Sequence, residues 1–334
     1  MQNSQVIGPS LCLRLSFTLA IATAFAGCSE SAAVSPSTPS QPVAGASSWM
    51  VLDAPKQSSL LYVSNQGARD VTVYAYSDGG GLNLVGTLTG FLKPSGMCTD
   101  KSGDVLITDS DARRVYRYHH GGTKRVAIIQ ERGSSVLFSC AVDPTTGDVA
   151  TADQFNGDGK PVGLVKIYTD GERNGKKYYV GKILPYYLAY DDKGNLFVDA
   201  QNAYNHNVSL LEMTKGDSYF VRLTVAGGAL NSPSAIQWIK PTLLMGNETS
   251  DSVAPFADKL FISGQTATIV GQVPFPSSQQ AAGFYRRAGR IVVPDPVANE
   301  VEIYTFPGGA LYSTLTQAIS NPVSVVVSQA GSGS

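Results

Sequence analysis

Asp104-Val-Leu-Ile-Thr-Asp-Ser-Asp-Ala-Arg-Arg-Val-Tyr-Arg-Tyr118 decides how this chain is read. A short apolar run gives way to a polar turn that opens on Asp109, and an alternating run, Val115-Tyr-Arg-Tyr118, follows it. Alternation of apolar and polar residues is what a half-buried strand requires, because successive side chains point to opposite faces. The stretch therefore reads as strand, turn, strand, and versions of it recur along the chain.

Aligned on the middle of the first run, the units centre on Val63 (Leu-Tyr-Val-Ser-Asn65), Ile107 (Val-Leu-Ile-Thr-Asp109), Thr151 (Val-Ala-Thr-Ala-Asp153), Val198 (Leu-Phe-Val-Asp-Ala200), Met245 (Leu-Leu-Met-Gly-Asn247) and Val293 (Ile-Val-Val-Pro-Asp295). Successive centres are 44, 44, 47, 47 and 48 residues apart. A period of about 40–50 residues with several strands per unit is the mark of a β-propeller. A second strand follows each turn, and those ending at Tyr74, Tyr118, Tyr168 and Tyr304 close on tyrosine. Third strands follow, such as Arg125-Val-Ala-Ile-Ile129 and Thr268-Ile-Val270. Before the next unit comes a strand of small residues, as in Gly96-Met-Cys-Thr99 and Phe138-Ser-Cys-Ala-Val142, which suits the crowded axis of a ring. The first unit lacks an innermost strand of its own. Pro322-Val-Ser-Val-Val-Val327 has the character to supply it, which would close the ring without an open sheet edge. The expected fold is all-β: a six-bladed β-propeller over residues 58–328, four antiparallel strands per blade, closed by the C-terminal strand.

The units resemble NHL-type and gluconolactonase-like six-bladed propellers, in which Pro leads into Asp-x-x-Gly-Asn-apolar-aromatic-Val, then Asp, then a Val/Tyr strand. Residues 94–118 and Asp191-Asp-Lys-Gly-Asn-Leu-Phe-Val198 match that pattern. The resemblance implies architecture and leaves activity open, because one fold hosts binders, scaffolds and hydrolases.

The two chain ends read differently from the repeats. Residues 1–27 form a polar start followed by a short apolar segment, too short to span a bilayer comfortably and suited to a signal peptide. It ends in Phe25-Ala-Gly-Cys28, which resembles the bacterial lipobox, with Phe25 where Leu is usual. The resemblance implies cleavage before Cys28 and lipidation of its thiol and new amino group. That places the protein on the cell envelope, facing the periplasm or the exterior; plain secretion is the alternative. Residues 28–57 are rich in Ser, Pro and Ala and read as a flexible tether, and 329–334 as a disordered tail.

Composition excludes some partners. With 25 Lys and Arg against 26 Asp and Glu, the formal net charge is −1, so there is no electrostatic case for nucleic acid. The 34 Gly and 18 Pro favour short strands and tight turns. A monomer is expected.

Candidate chemistry is sparse. Asn65, Asp109, Asp153, Asn247 and Asp295 share one offset, just where the first strand ends. They could ring a Ca²⁺ or another hard cation, with Asp153, Asn247 and Asp295 the weak candidates. Recurrence in nearly every blade favours the other reading, that each accepts backbone N–H bonds and pins its own turn. The following turn is six residues long in blades one, two and six, but twelve after Asp153, eight after Ala200 and thirteen after Asn247. These longer turns belong to neighbouring blades and should emerge on one face. They would form a lopsided binding surface carrying Phe155, Asn156, Tyr204, His206, Glu248 and Asp251. A protein, a glycan or a small molecule would bind there, with no cofactor required. The rival is a metal-dependent, lactonase-like hydrolase at the channel mouth, but nothing near Ser58-Ser-Leu-Leu61 supplies the Glu that such a site uses. A purely structural envelope protein is a third reading. Cys98 and Cys140 lie on successive innermost strands, two residues before Asp100 and three before Asp143. That offset should turn them to different sides, so two buried free thiols are expected.

Overall fold

The computed structural model describes residues 47–331 apart from 78–80, 133–135, 156–158, 170–173 and 248–253. Cys28 of the lipobox and the surface candidates Asn156, Glu248 and Asp251 lie outside the described residues.

The strands fall into six sheets. Blade one holds β1 (Trp49–Met50), β2 (Ser59–Asn65), β3 (Asp70–Tyr76) and β4 (Leu82–Leu88), and blade two β5 (Pro94–Thr99), β6 (Val105–Asp109), β7 (Arg114–Tyr118) and β8 (Arg125–Gln130). Blade three is β9 (Leu137–Val142), β10 (Val149–Phe155), β11 (Pro161–Tyr168) and β12 (Lys176–Gly181). Blade four is β13 (Ile183–Tyr190), β14 (Leu196–Asn202), β15 (Val208–Met213) and the short β16 (Val221–Arg222). Next, β17 (Thr224–Ala226) is added in parallel to the outside of blade five, which otherwise holds β18 (Ile236–Ile239), β19 (Thr242–Asn247), β20 (Phe256–Ser263) and β21 (Thr266–Pro274). Blade six is β22 (Tyr285–Arg287), β23 (Arg290–Asp295), β24 (Glu300–Thr305) and β25 (Leu311–Leu315). The chain ends on β26 (Pro322–Gln329), which returns to blade one and pairs antiparallel with β2, Tyr62 opposite Val326 and Val63 opposite Val325. The six-bladed ring closed by the C-terminal strand is thus the architecture observed.

Burial follows position in the blade. β2 is buried at every position from Leu60 to Asn65, because it faces a neighbouring blade on each side, whereas β8 on the rim is exposed along most of its length. The core is accordingly divided into clusters that each straddle a blade boundary. Leu60, Tyr62 and Val73 of blade one meet Ile107, Tyr116 and Tyr118 of blade two. Leu61, Val63 and Tyr74 meet Val292, Val301 and Ile303 of blade six. Among the described residues the boundary between blades two and three has the smallest cluster: Cys98, Leu106, Val115, Leu137 and Cys140.

That boundary corrects the expectation of free thiols. Cys98 and Cys140 form a disulfide with their Cα atoms 5.7 Å apart. The expected offset is present, since Cys140 pairs with Thr151 and Cys98 with Leu106, one place before Ile107. It does not keep them apart, because the two strands belong to different sheets and no shared pleat dictates which side each faces. Gly96 brings β5 and β9 together: a Cβ there would lie 2.8 Å from the Phe138 carbonyl oxygen.

The chain ends also depart from their expected boundaries. Residues 49–57, expected as the end of the tether, belong to the fold: Trp49 pairs with Thr87 and Met50 with Gly86, and Ala54 is fully buried. Gly86 permits this fifth strand, because a Cβ there would collide with the Met50 sulfur. At the other end, pairing runs to Gln329, and the Ala330 N–H donates to the Ser58 carbonyl at 3.2 Å. His120 bridges both ends, its ring nitrogens 2.6 Å from Ser328 Oγ and 2.8 Å from the Gln57 carbonyl.

Candidate functional site

In each blade the turn between the second and third strands and the link to the next blade lie on one face, here the upper face. The remaining turns lie on the lower face. The residues at the recurrent offset tie these two upper elements together. Asp109 accepts N–H bonds from Leu92 (2.8 Å) and Lys93 (2.9 Å) in the entering link and from Ala112 (3.1 Å) in its own turn. Asp295 does the same with Gln279 (2.6 Å), Val297 and Ala298 (2.9 Å each). Asn65 accepts from Ser320 N–H at 3.2 Å, and Asn247 accepts from Asn231 N–H at 2.9 Å while donating to the Ala229 carbonyl at 2.9 Å. Blade three uses a different device. The buried ammonium of Lys166 sits between Glu131 and Asp153, 2.8 Å from the latter. Burial alone would lower its pKa, but the two carboxylates outweigh that and raise it. These contacts are those of turn-pinning residues. Among the described residues no group of three or more His, Cys, Asp or Glu is arranged to hold a metal ion.

The long upper turns place Phe155, Tyr204 and His206 apart from the axis. Phe155 ends β10 opposite Pro161 and is half-buried. Tyr204 is 67% exposed, with the Lys182 ammonium 5.5 Å from its ring centre. His206 takes a left-handed backbone (φ 60°) in the same turn, held by its N–H bond to the Asn202 carbonyl. None of the three lines the channel mouth.

The mouth is built by residues that the repeat pattern did not single out. A cavity of about 420 Å³ opens there, lined in chain order by Gln66, Lys93, Phe138, Tyr186, Ser232 and Gln280, one from or leading into each of the six blades. The polar groups of the described lining are amides, hydroxyls and one ammonium, set among aromatic rings and small aliphatic residues such as Ala281 and Val323. A mouth of this composition offers hydrogen bonds and an aromatic wall. Its floor is aromatic. Phe138 meets Tyr186 and Tyr187 edge-on at 4.9 and 5.2 Å, and the Tyr187 hydroxyl donates across the axis to the Ala282 carbonyl. Burial raises the Tyr187 pKa, with the nearby Asp199 carboxylate adding to it, so the phenol remains a donor.

Below the floor a second cavity of about 430 Å³ is walled by the inner strands, including Met97, Ile236, Phe284, Val325 and the disulfide. A signal for the floor was present in the sequence. Tyr187 occupies the register position where the other five inner strands carry Gly96, Ser139, Ala235, Gly283 and Ser324. No signal marked Lys93 or Gln280, which lie in non-repeating links.

Comparison with known proteins supports the fold. No family model and no curated protein matches the chain. Among solved structures it is similar to a chain in the crystal structure of a nidogen/laminin complex, with a TM-score of 0.65 and 12% identity over 81% of this chain and 99% of that one. It is also similar to the β-propeller domain of Cps50 (Swd1) from Myceliophteria thermophila, with a TM-score of 0.52 and 11% identity over 81% and 86% of the two chains. At such identities the likeness defines the class, a six-bladed β-propeller.

Proposed function

We propose that this protein is a non-catalytic interaction module, tethered to the cell envelope through a lipidated Cys28, that presents the upper face of its propeller to a protein partner. The observation that carries the reading is the composition of the mouth, where amides, hydroxyls, aromatic rings and the Lys93 ammonium come together from all six blades among the described residues. Such a cup suits the loop or chain end of another protein, and the exposed Tyr204 extends the surface outward over blade four. The nidogen/laminin chain comes from a protein complex, which is consistent with the same use of the fold here. Two features support the address: the lipobox-like Phe25-Ala-Gly-Cys28, and a disulfide, which persists in oxidising compartments outside the cytosol. The NHL-like repeat pattern fits a scaffold of this kind equally well.

The test is site-specific photocrosslinking of the full-length protein in the cells that make it. A photoreactive residue at Tyr186 or Tyr204 is expected to give a discrete adduct, and Lys93→Glu should abolish it. A residue at the rim position Val270, which is 57% exposed, should give none. Equal adducts from Val270, or none from the mouth, would overturn the proposal. In the same cells, Cys28→Ala should release the protein from the membrane fraction.

A further inference from the structure

We propose that the lower side of blades five and six docks on an anionic phospholipid surface and so leaves the upper face of the tethered propeller open to its partner. The proposal rests on the anchoring through Cys28 and adds an orientation to it. The surface is built on the β22–β23 hairpin of blade six and on the flank of blade five beside it. It carries Lys259, Arg286, Arg287 and Arg290, with Lys240 in the β18–β19 turn. The turns on this side, residues 240–241, 264–265, 288–289 and 306–310, contain no Asp or Glu.

Three observations converge on it. First, the cations are held in place without being neutralised. The Arg286 guanidinium lies 4.8 Å and the Lys259 ammonium 5.2 Å from the centre of the Phe306 ring, and the Arg290 guanidinium lies 3.8 Å from that of Tyr312. An aromatic face attracts a cation and leaves its charge whole. Among the described residues Lys240 pairs with Asp192 at 2.6 Å, and the other four cations form no ion pair. Asp258, next to Lys259 in sequence, is committed to Asn247 and Gln272 at 2.8 and 2.9 Å. Second, apolar side chains stand exposed at the same place. Phe261 is two residues along β20 from Lys259, hence on the same strand face, and Leu311 and Tyr312 begin β25. Third, the tether joins the fold at Trp49 on blade one, and blade one packs directly on blade six through Leu61, Val63, Val292 and Ile303. A Ser- and Pro-rich segment as long as 29–48 spans about 25 Å on average, so a lipid on Cys28 would keep these two blades close to the bilayer.

The three together select a lipid surface. None of the four unpaired cations lines either cavity of the central channel, so a free phosphate gains no enclosure from those cavities. An acidic protein segment would answer the charges alone. At a bilayer surface headgroup phosphates pair with Lys and Arg, while aromatic and aliphatic side chains enter the interfacial layer. Four cations give reversible adhesion, so the patch orients the propeller and the lipid on Cys28 retains it.

The test uses the mature chain, residues 28–334, carrying Cys28→Ala. It is sedimented with vesicles of phosphatidylcholine alone, or of equal parts phosphatidylcholine and phosphatidylglycerol. Binding to the anionic vesicles alone is expected, and its loss at about 0.5 M NaCl, where the Debye length falls well below 10 Å. Lys259→Glu combined with Arg286→Glu should weaken binding by about tenfold or more. The matched pair Lys176→Glu and Lys177→Glu, on the outer strand of blade three across the ring, should leave it unchanged. Should the first pair melt early, Arg287→Glu at the hairpin tip gives the same reading. The proposal is overturned if neutral vesicles bind equally, if neither vesicle binds, if folded patch variants bind as tightly as the parent, or if the blade-three pair weakens binding as much. It is also overturned if inorganic phosphate displaces the protein at an ionic strength where chloride does not. The assay needs no lipid on the protein, so its failure leaves the anchor standing. In cells, Cys28→Ala protein that stays with the membranes through a high-salt wash as the parent does would overturn the anchor instead.

Discussion

Asp199 stands one residue before the position that carries Asn or Asp in the other five blades, where blade four has Ala200. The slip takes a carboxylate off the upper turn and buries it completely in the ring. The Ser234 N–H donates to one oxygen at 2.7 Å, and the other oxygen has no partner among the described residues. Burial pushes its pKa well above the usual carboxylate range, against the smaller opposing effect of backbone hydrogen bonds. A raised folded-state pKa means that the native state holds the proton more tightly than the unfolded chain. Stability is then greatest below the unfolded pKa of about 3.9 and falls as pH rises through the window up to the folded pKa. Asp199→Asn removes the charge at every pH. It should stabilise the protein at pH 7 by roughly 1–3 kcal/mol, the cost of an unpaired buried group, and leave it unchanged near pH 3. Urea denaturation at the two pH values checks this; identical pH dependence in the two proteins would refute it.

At the scale of the elements, the disulfide joins blades two and three where the apolar contact is thinnest. Five buried side chains form that cluster, two of them the bonded cysteines, while the clusters at other boundaries are larger, such as the one that holds Tyr62, Ile107 and Tyr116. The crosslink spans 42 residues of sequence, and bridges of such loops typically contribute about 2–4 kcal/mol. The double substitution Cys98→Ser with Cys140→Ala should lower stability by that amount in chemical denaturation, and a reducing agent should do the same to the parent. An unchanged midpoint in both would show that packing alone holds the boundary. The same comparison shows where pattern reading stops. Strand alternation holds within a sheet, and the offset between Cys98 and Cys140 was read correctly. Whether two residues in different sheets meet depends on how close the sheets come, and Gly96 sets that approach for β5 and β9.

For the molecule as a whole, β26 is the strand that makes six sheets one ring. It pairs with β2 from Ser59 to Asn65 and buries Val325, Val326 and Val327. Ending the chain after Asn321 would expose the β2 edge and uncover Leu61 and Val63, inviting edge-to-edge association. The truncated protein is expected to aggregate or remain unfolded, and a peptide of residues 322–334 added during refolding should restore a monomer by strand addition. Size-exclusion chromatography and circular dichroism distinguish the outcomes; a truncated chain that stays monomeric and melts like the parent would remove β26 from this role.

Blade number, strand order and closure by the last strand were all determined by the sequence, because they follow from short-range alternation repeated at a near-constant spacing. The turn-pinning residues were legible because they recur at one offset in the repeat, although their partners in the entering links, such as Ser320 for Asn65, were not. Tertiary structure alone decided the disulfide, the fifth strand at Trp49–Met50 and the links that line the upper mouth. Each of these depends on groups from separate sheets arriving at one point, and that is set by the tilt and spacing of whole blades around the axis, which no local pattern encodes.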